Sequence, residues 1–219
     1  MKPHIAIAID GPAASGKSTL ARQLSERLGL TMVNSGEMYR AVTWKVLQLG
    51  IDPTDTAAVV EALDAMDLDC GVEGRMSTIA VDGVRPGPEL RTEAVNRAVS
   101  TVSAVPEVRR RLVDLQRDYL AFTDVVMEGR DIGSVVFPDT PYKIYIDADA
   151  GVRARRRVEM GEVDAVHDRD REDSSRKTAP LRIADGAAVL DTSEHTIESG
   201  VEAAIDLLRQ QGLDLGEQG

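Results

Sequence analysis

An apolar, strand-like run followed at once by a glycine-rich loop constrains the fold of this chain most. Residues 5–9 (I-A-I-A-I) are all apolar or small, as in a strand that is buried on both faces of a parallel sheet. Residues 11–18 then match the pattern G-x-x-x-x-G-K-S, and a leucine recurs at every fourth position over 20–28 before Gly29. A strand, a glycine loop and a helix in this order predict an α/β fold whose loop binds a nucleoside triphosphate.

Each part of this loop suits a phosphate ligand. Gly11 and Gly16 let the backbone come close to phosphates, and the loop N–H groups with the helix N-terminus form a concave anion site. Lys17 is expected to reach the β- and γ-phosphates of ATP, and the Ser18 hydroxyl is expected to bind Mg²⁺. The predicted ATP-binding residues are Gly11, Pro12, Ala13, Ala14, Ser15, Gly16, Lys17, Ser18 and Thr19.

The length, composition and charge of the chain exclude several classes of protein and partner. With 219 residues, 42% of them apolar, the chain has room for one substantial α/β domain and an insert. A net charge of −11 argues against binding to nucleic acid polymers, for which basic surfaces supply the affinity. We find no signal-peptide pattern and no apolar run of membrane-spanning length, and the lone Cys70 fits a reducing compartment. We therefore expect a cytoplasmic monomer with no membrane partner.

The pattern along the chain alternates between strands and helices, with one interruption. Short strand-like pieces at 67–72 and 78–81, separated by turn residues, predict a small antiparallel sheet, and two helices follow it. We therefore expect a single kinase-sized unit rather than separate domains. Its predicted parts are a core at about 1–50, 120–150 and 180–212, an insert at about 51–119, and a short lid at about 151–177.

Polar residues follow two further predicted strands. Ser35 is the expected N-cap of a helix whose apolar face extends to Leu49, and Arg40 lies in its first turns. The segment 128–133 (E-G-R-D-I-G) directly follows another all-apolar strand. Ligands of open α/β sheets bind at the carboxyl ends of the strands, so Arg40 and this segment are expected at the same site. The last predicted helix is capped by Thr196, with residue 197 on its apolar face.

Together these segments resemble the bacterial cytidylate kinases, the CMP kinase branch of the nucleoside monophosphate kinases. The matching stretches run nearly the whole length of the chain. The motif at 11–18 is shared by many enzymes, whereas G-R-D-I-G at 129–133, D-S-S-R at 173–176 and A-P-L at 179–181 are together specific to this family. The resemblance implies a parallel sheet flanked by helices, with a mobile lid and an insert that binds the monophosphate.

The resemblance also implies a reaction and a set of site residues. The γ-phosphate of ATP passes to CMP or dCMP, giving ADP and CDP or dCDP, with Mg²⁺ as cofactor. Ser35, Arg40 and Arg130 match the residues that hold the acceptor phosphate, Asp173 matches the residue that holds the ribose hydroxyls, and Ser100, Arg109 and Asp131 match those that read cytosine. The implied catalytic residues are Lys17, Arg40, Arg130, Arg169 and Arg176. The implied CMP-binding residues are Ser35, Arg40, Ser100, Arg109, Arg130, Asp131, Asp173 and Arg176.

The chemistry of the bases supports a pyrimidine acceptor and leaves the choice between pyrimidines open. Cytosine offers an amine donor at N4, which the Asp131 carboxylate can accept, whereas uracil has an oxygen at that position. A preference for CMP follows, without strict exclusion of UMP. The segment 160–166 is shorter than in the family, so the lid arginines at 155–157 receive no individual roles. The alternatives are a kinase for another monophosphate or a small hydroxy acid such as shikimate, and a nucleotide-sensing module without catalysis.

Overall fold

The computed structural model of the chain describes residues 3–159 and 181–214. Its strands are β1 (Ala6–Asp10), β2 (Thr31–Asn34), β3 (Leu68–Glu73), β4 (Met76–Val81), β5 (Val125–Gly129), β6 (Lys143–Asp147) and β7 (Ala188–Asp191). Its helices are α1 (Lys17–Leu28), α2 (Ser35–Gln48), α3 (Thr56–Ala65), α4 (Glu93–Ser103), α5 (Pro106–Asp118), α6 (Ala150–Glu159) and α7 (Ile197–Gln210). Short helical turns lie at Pro88–Arg91, Tyr119–Ala121 and Ile132–Val136, the last of them π-helical.

The strands form one sheet in the order β3-β4-β2-β5-β1-β6-β7, in which every neighbouring pair except β3–β4 is parallel. Helices flank this sheet, so the predicted α/β fold with a mostly parallel sheet is confirmed. In the described part of the chain, no helix is both long enough and apolar enough to cross a membrane.

Strand β1 lies inside the sheet, between β5 and β6, and is buried on both faces as predicted. Ile7 and Ile9 point to one face, where they join the cluster that contains the leucines of α1 and α7. Ala6 and Ala8 point to the other face, in a cluster with Tyr119 and the apolar residues of the π-helical turn. The large side chains of β1 therefore face the helices α1 and α7, and its alanines let Tyr119 and the π-helical turn pack close to the other face of the sheet.

Strands β3 and β4 form the predicted antiparallel pair, joined by a turn at Gly74, where φ is 61°. The pair continues the main sheet at its edge rather than standing apart from it. Met32 of β2 aligns with Met76 of β4, and the Met32 N–H donates to the Arg75 carbonyl at 2.7 Å. The antiparallel pair and the parallel strands thus belong to one continuous hydrogen-bonded sheet.

Three predictions at helix ends were wrong. Asn34, not Ser35, is the N-cap of α2, because its side chain accepts from the Glu37 N–H at 3.3 Å while Ser35 is the first helical residue. Leu49 follows the last turn of α2 and is 52% exposed, and Ile197 begins α7 and is 61% exposed. Periodicity overestimated both apolar faces, because the terminal residues extend past the surface that each helix packs against. The predicted cap of α7 by Thr196 is confirmed.

Candidate active site

A cavity of about 240 Å³ opens at the carboxyl ends of β1, β2 and β5. It is lined by the glycine loop, the start of α2, the facing sides of α4 and α5, the residues after β5, and one arginine of α6. Most of the predicted site residues lie on its wall: Ala13, Ala14, Gly16, Lys17, Ser18, Thr19, Ser35, Arg40, Ser100, Arg109, Arg130 and Asp131. Predictions drawn from segments more than 100 residues apart in sequence therefore meet in one place.

The glycine loop connects β1 to α1 with a backbone that its two glycines make possible. A Cβ atom at Gly11 would lie 2.1 Å from the Ile146 carbonyl oxygen, so only glycine fits there. Gly16 caps α1 with φ at 91°, in the left-handed region, and Ala14 is also left-handed at 57°. A left-handed alanine is an unfavourable conformation, which is typical of functional loops. Lys17 is buried, and its Nζ donates to the Pro12 carbonyl at 3.1 Å.

Ser18 faces a carboxylate that comes from the neighbouring strand. Its hydroxyl donates to Glu128 Oε1 at 2.7 Å, and Glu128 is buried near the end of β5. A hydroxyl and a carboxylate are both hard oxygen ligands of the kind that Mg²⁺ prefers. The pair therefore fits a magnesium ion at the edge of the glycine loop.

Ser35 and Arg40 project from α2 toward the same cavity. The Ser35 hydroxyl donates to the Glu128 carbonyl at 2.8 Å, which fixes the start of α2 against β5. The Arg40 Nη1 donates to the Leu90 carbonyl at 2.8 Å and to Asn96 Oδ1 at 2.7 Å. Arg40 thus links α2 to the segment that leads into α4, the helix that carries Ser100.

Arg109 and Asp131 form an ion pair deep in the cavity, with side chains only 6% and 8% exposed. The Arg109 Nη2 donates to Asp131 Oδ2, and its guanidinium lies 5.5 Å from the centre of the Tyr39 ring. Removing one partner of such a buried pair is costly, because the charge that remains has no compensation. The cavity wall therefore presents a buried donor group next to a buried acceptor group.

Arg130 connects the two sides of the cavity. Its Nη1 donates to the Gly11 carbonyl at 2.8 Å, so the residue after β5 contacts the start of the glycine loop. Asp10, the last residue of β1, makes the reciprocal contact, because its carboxylate accepts from the Ile132 and Gly133 N–H groups at 2.7 and 2.8 Å. Burial raises the pKa of Asp10 to about 6, since desolvation outweighs the two backbone hydrogen bonds, which lower it.

The arginines of α6 are not equivalent. Arg156 donates to the Ser15 carbonyl at 3.2 Å and to the Thr192 carbonyl at 2.9 Å, behind the glycine loop. Arg153 reaches the Ala13 carbonyl at 3.4 Å, Arg157 is buried on the cavity wall, and Arg155 is exposed. The predicted residues Arg169, Asp173 and Arg176 lie outside the described residues.

Three residues at the site carry no assigned role from the sequence: Glu128, Asp10 and Arg157. Asp10 ends β1 and Glu128 lies next to the end of β5, and a carboxylate in such a position was a usable signal, since ligands bind at the carboxyl ends of parallel strands. Arg157 gave no such signal, because the charged run that contains it looks the same on the buried and exposed sides of α6.

Relatives of known name share this sequence along almost its whole length. The family model described as cytidylate kinase matches residues 7–210. A cytidylate kinase of Streptomyces avermitilis is 39% identical over 220 residues, covering 95% of this chain and 94% of that protein. A cytidylate kinase of Nocardia farcinica is 41% identical over 219 residues, covering 94% of each.

Solved structures with the same fold are more distant in sequence. A gluconokinase from Sinorhizobium meliloti has a TM-score of 0.51 at 12% identity, covering 95% of this chain and 93% of that one. A sugar kinase from Janibacter has a TM-score of 0.50 at 14% identity, covering 94% and 95%. At such identities the likeness supports the kinase fold alone, whereas the match over residues 7–210 identifies the family. The chain belongs to the cytidylate kinase family of phosphotransferase enzymes.

Proposed function

We propose that this protein transfers the γ-phosphoryl group of ATP to CMP and dCMP, yielding ADP with CDP or dCDP. One observation carries the proposal: one cavity is lined by the glycine loop, by the buried Arg109–Asp131 pair and by Arg40 and Arg130. A triphosphate on the loop and a nucleotide base at the pair would place the acceptor phosphate beside these arginines. The membership of the family supports the same reaction.

The donor side rests on the glycine loop. Its N–H groups and the start of α1 would hold the phosphates of ATP, and Lys17 would extend from its present contact with Pro12 toward the β- and γ-phosphates. Arg156 and Thr192 support the loop from behind through the Ser15 carbonyl. The loop therefore meets the phosphates with a backbone that is already held in shape.

Magnesium fits the Ser18–Glu128 pair, and these two residues would hold it. The chemistry that Mg²⁺ would supply there is compensation of the negative charge that develops on the phosphates during transfer. Glu128 also fixes the direction of the Ser18 hydroxyl, since Ser18 Oγ lies 2.7 Å from Glu128 Oε1 and donates to it.

The acceptor side divides into a phosphate site and a base site. Ser35, Arg40 and Arg130 would bind the phosphate of CMP, and arginine suits this because its planar group forms two parallel bonds to phosphate and keeps its proton. Ser100 and Arg109 would donate to cytosine O2 and N3, and Asp131 would accept from the N4 amine. Asp173 would bind the ribose, and Arg169 and Arg176 would reach the phosphates when the site closes.

The reaction needs alignment and charge stabilisation more than proton transfer. The second pKa of a phosphate monoester is near 6, so the CMP phosphate is already mostly a dianion at neutral pH. In-line attack on the γ-phosphorus then requires that the two nucleotides be held end to end and that water be excluded. Lys17, Arg40 and Arg130 supply cations around the transferred group, where negative charge spreads in the transition state.

Two other functions are alternatives to this proposal. A kinase for UMP or a hydroxy acid would use the glycine loop with a different acceptor, and a sensor would bind ATP without transfer. We favour a nucleotide over a hydroxy acid because the buried Arg109–Asp131 pair offers a donor and an acceptor for a base edge. We favour cytosine over uracil because the Asp131 carboxylate can accept from the N4 amine but not from the uracil oxygen. We also propose a monomer in the cytoplasm, where ATP is available and the thiol of Cys70 stays reduced.

An acceptor panel tests the proposal. ADP release is measured with ATP and Mg²⁺ while CMP, dCMP, UMP, AMP and shikimate are offered in parallel. We expect fast release with CMP and dCMP and weaker release with UMP. ADP release stimulated by shikimate or AMP alone would identify a different acceptor. ADP release that no compound stimulates would favour the nucleotide sensor.

A further inference from the structure

Asp10 is a buried carboxylate that the proposed chemistry does not use directly. It is the last residue of β1, immediately before the glycine loop, and only 4% of it is exposed. Its two oxygens accept from two consecutive backbone N–H groups, Ile132 to Oδ1 at 2.7 Å and Gly133 to Oδ2 at 2.8 Å. Both oxygens are thus engaged by one short segment that lies more than 120 residues away in sequence.

That segment directly follows the two residues proposed to bind the acceptor. Asp131 precedes Ile132, and Arg130 returns the contact by donating to the Gly11 carbonyl at 2.8 Å. The strands on either side are paired in register, with Asp10 aligned to Gly129. A side chain of β1 therefore holds the backbone after β5, and a side chain after β5 holds the backbone after β1.

The lack of a side chain at Gly133 lets its backbone N–H come close to the Asp10 carboxylate. A Cβ atom at this position would lie 3.3 Å from Asp10 Oδ2 and 3.2 Å from the Lys143 Cδ, which is tight for both neighbours. The charged groups that bear on the Asp10 carboxylate are Asp131, which raises its pKa, and Lys17, which lowers it. Asp10 thus lies between a donor-site lysine and an acceptor-site carboxylate.

We propose that Asp10 is a positioning residue that sets acceptor selectivity: by holding the Ile132 and Gly133 amides, it fixes where Asp131 and Arg130 point relative to the glycine loop. This inference rests on the proposed function and extends it to a residue that touches neither nucleotide. Since the Asp10 carboxylate accepts two hydrogen bonds from the segment after β5, its loss shifts the acceptor groups more than the glycine loop. The selectivity between bases changes more than the affinity for ATP.

The test uses the full chain with Asp10→Asn, which keeps the shape of the side chain but turns an amide donor toward one of the two N–H groups. We expect the KM for CMP to rise and the ratio of kcat/KM for CMP over UMP to fall at least fivefold, the lower end of one base-edge contact. The KM for ATP should change less than twofold. An unchanged ratio, or equal losses toward ATP and both acceptors, would overturn the inference.

Asp147→Asn is the matched control. Asp147 also ends a parallel strand next to β1 and accepts a backbone N–H, from Ala148 at 2.8 Å, but it is exposed and lies outside the cavity wall. This variant should keep the wild-type ratio. A loss of selectivity equal to that of Asp10→Asn would mean that any strand-end carboxylate produces the effect.

Two further variants keep the inference testable. Should Asp10→Asn fail to fold, Gly133→Ala crowds the same contact more mildly and should lower the same ratio. In the double variant Asp10→Asn with Asp131→Asn, the ratio should fall no further than in Asp131→Asn alone, because Asp10 acts through that segment; additive losses would contradict this. A wild-type protein that does not phosphorylate CMP refutes the proposed function and this inference together, whereas normal selectivity in Asp10→Asn refutes the inference alone.

Discussion

Replacing Asp131 by asparagine tests base recognition while leaving the shape of the site unchanged. Asp131 and Arg109 are almost fully buried, so alanine at 131 would leave the guanidinium without its carboxylate, at a cost of about 3–5 kcal/mol of stability. Asparagine keeps an oxygen that can accept from Arg109. Asparagine still leaves the guanidinium without a carboxylate, so a change in selectivity reports on the base where the unfolding midpoint of the variant stays close to that of wild type.

The expected size of the effect follows from one base-edge contact. The amide oxygen is a weaker acceptor for the cytosine N4 amine than a carboxylate, and the amide N–H can donate to the uracil oxygen at the same position. A contact worth roughly 1–3 kcal/mol corresponds to a fall of roughly 5- to 150-fold in the ratio of kcat/KM for CMP over UMP. The KM for ATP should stay near its wild-type value.

The assay is steady-state ADP release with each acceptor varied at saturating ATP, on protein whose urea unfolding midpoint has been measured. Asp139→Asn is the control, since it makes the same charge change at an exposed position six residues beyond Gly133. It should leave the ratio unchanged. A CMP-over-UMP ratio in Asp131→Asn within twofold of wild type would remove Asp131 from base recognition.

Three other perturbations test separate parts of the account. Lys17→Ala should abolish turnover while circular dichroism shows a folded chain, and normal turnover would refute the role of the glycine loop. Glu128→Gln should raise the Mg²⁺ concentration for half-maximal activity by at least roughly 10-fold, because it replaces the carboxylate that faces Ser18 by a neutral amide. The raised pKa of Asp10, about 6 against an ordinary 3.8, means that the native state keeps a proton that the unfolded chain releases between these pH values. The stability of wild type relative to Asp10→Asn should therefore fall by roughly 2 kcal/mol as the pH rises from 4.5 to 7. Urea unfolding at both pH values measures this difference, and an equal difference at both would contradict the raised pKa.

The parts of the fold that sequence predicted best are those specified by neighbouring residues. Residues 5–18 hold a complete strand and loop, and the helix that follows has apolar residues at a helical period, so one short stretch defines the centre of the sheet and its ligand site. The antiparallel pair β3–β4 was predicted from turn residues for the same reason. Its junction with β2 was not, because the single aligned pair of Met32 and Met76 depends on tertiary packing.

The site likewise has parts that neighbouring residues specify and parts that depend on distant elements. Arg40 and Asp131 lie on one wall, as their places after two predicted strands indicated, whereas Arg109 was predicted only from the family resemblance. The contacts of Asp10 and Arg157 could not be predicted, because their partners or their burial depend on elements far away in sequence. A buried arginine and an exposed one on α6 have the same local sequence signature.

The fate of the γ-phosphate shows whether CMP receives the phosphoryl group of ATP. The protein is incubated with Mg²⁺, CMP and ATP labelled in its γ-phosphate, and the products are separated. We expect the label to appear in CDP, in an amount equal to the ADP formed, with little in inorganic phosphate. Label found only in inorganic phosphate or retained in ATP would mean that CMP does not receive the phosphoryl group, and the proposed function would be wrong.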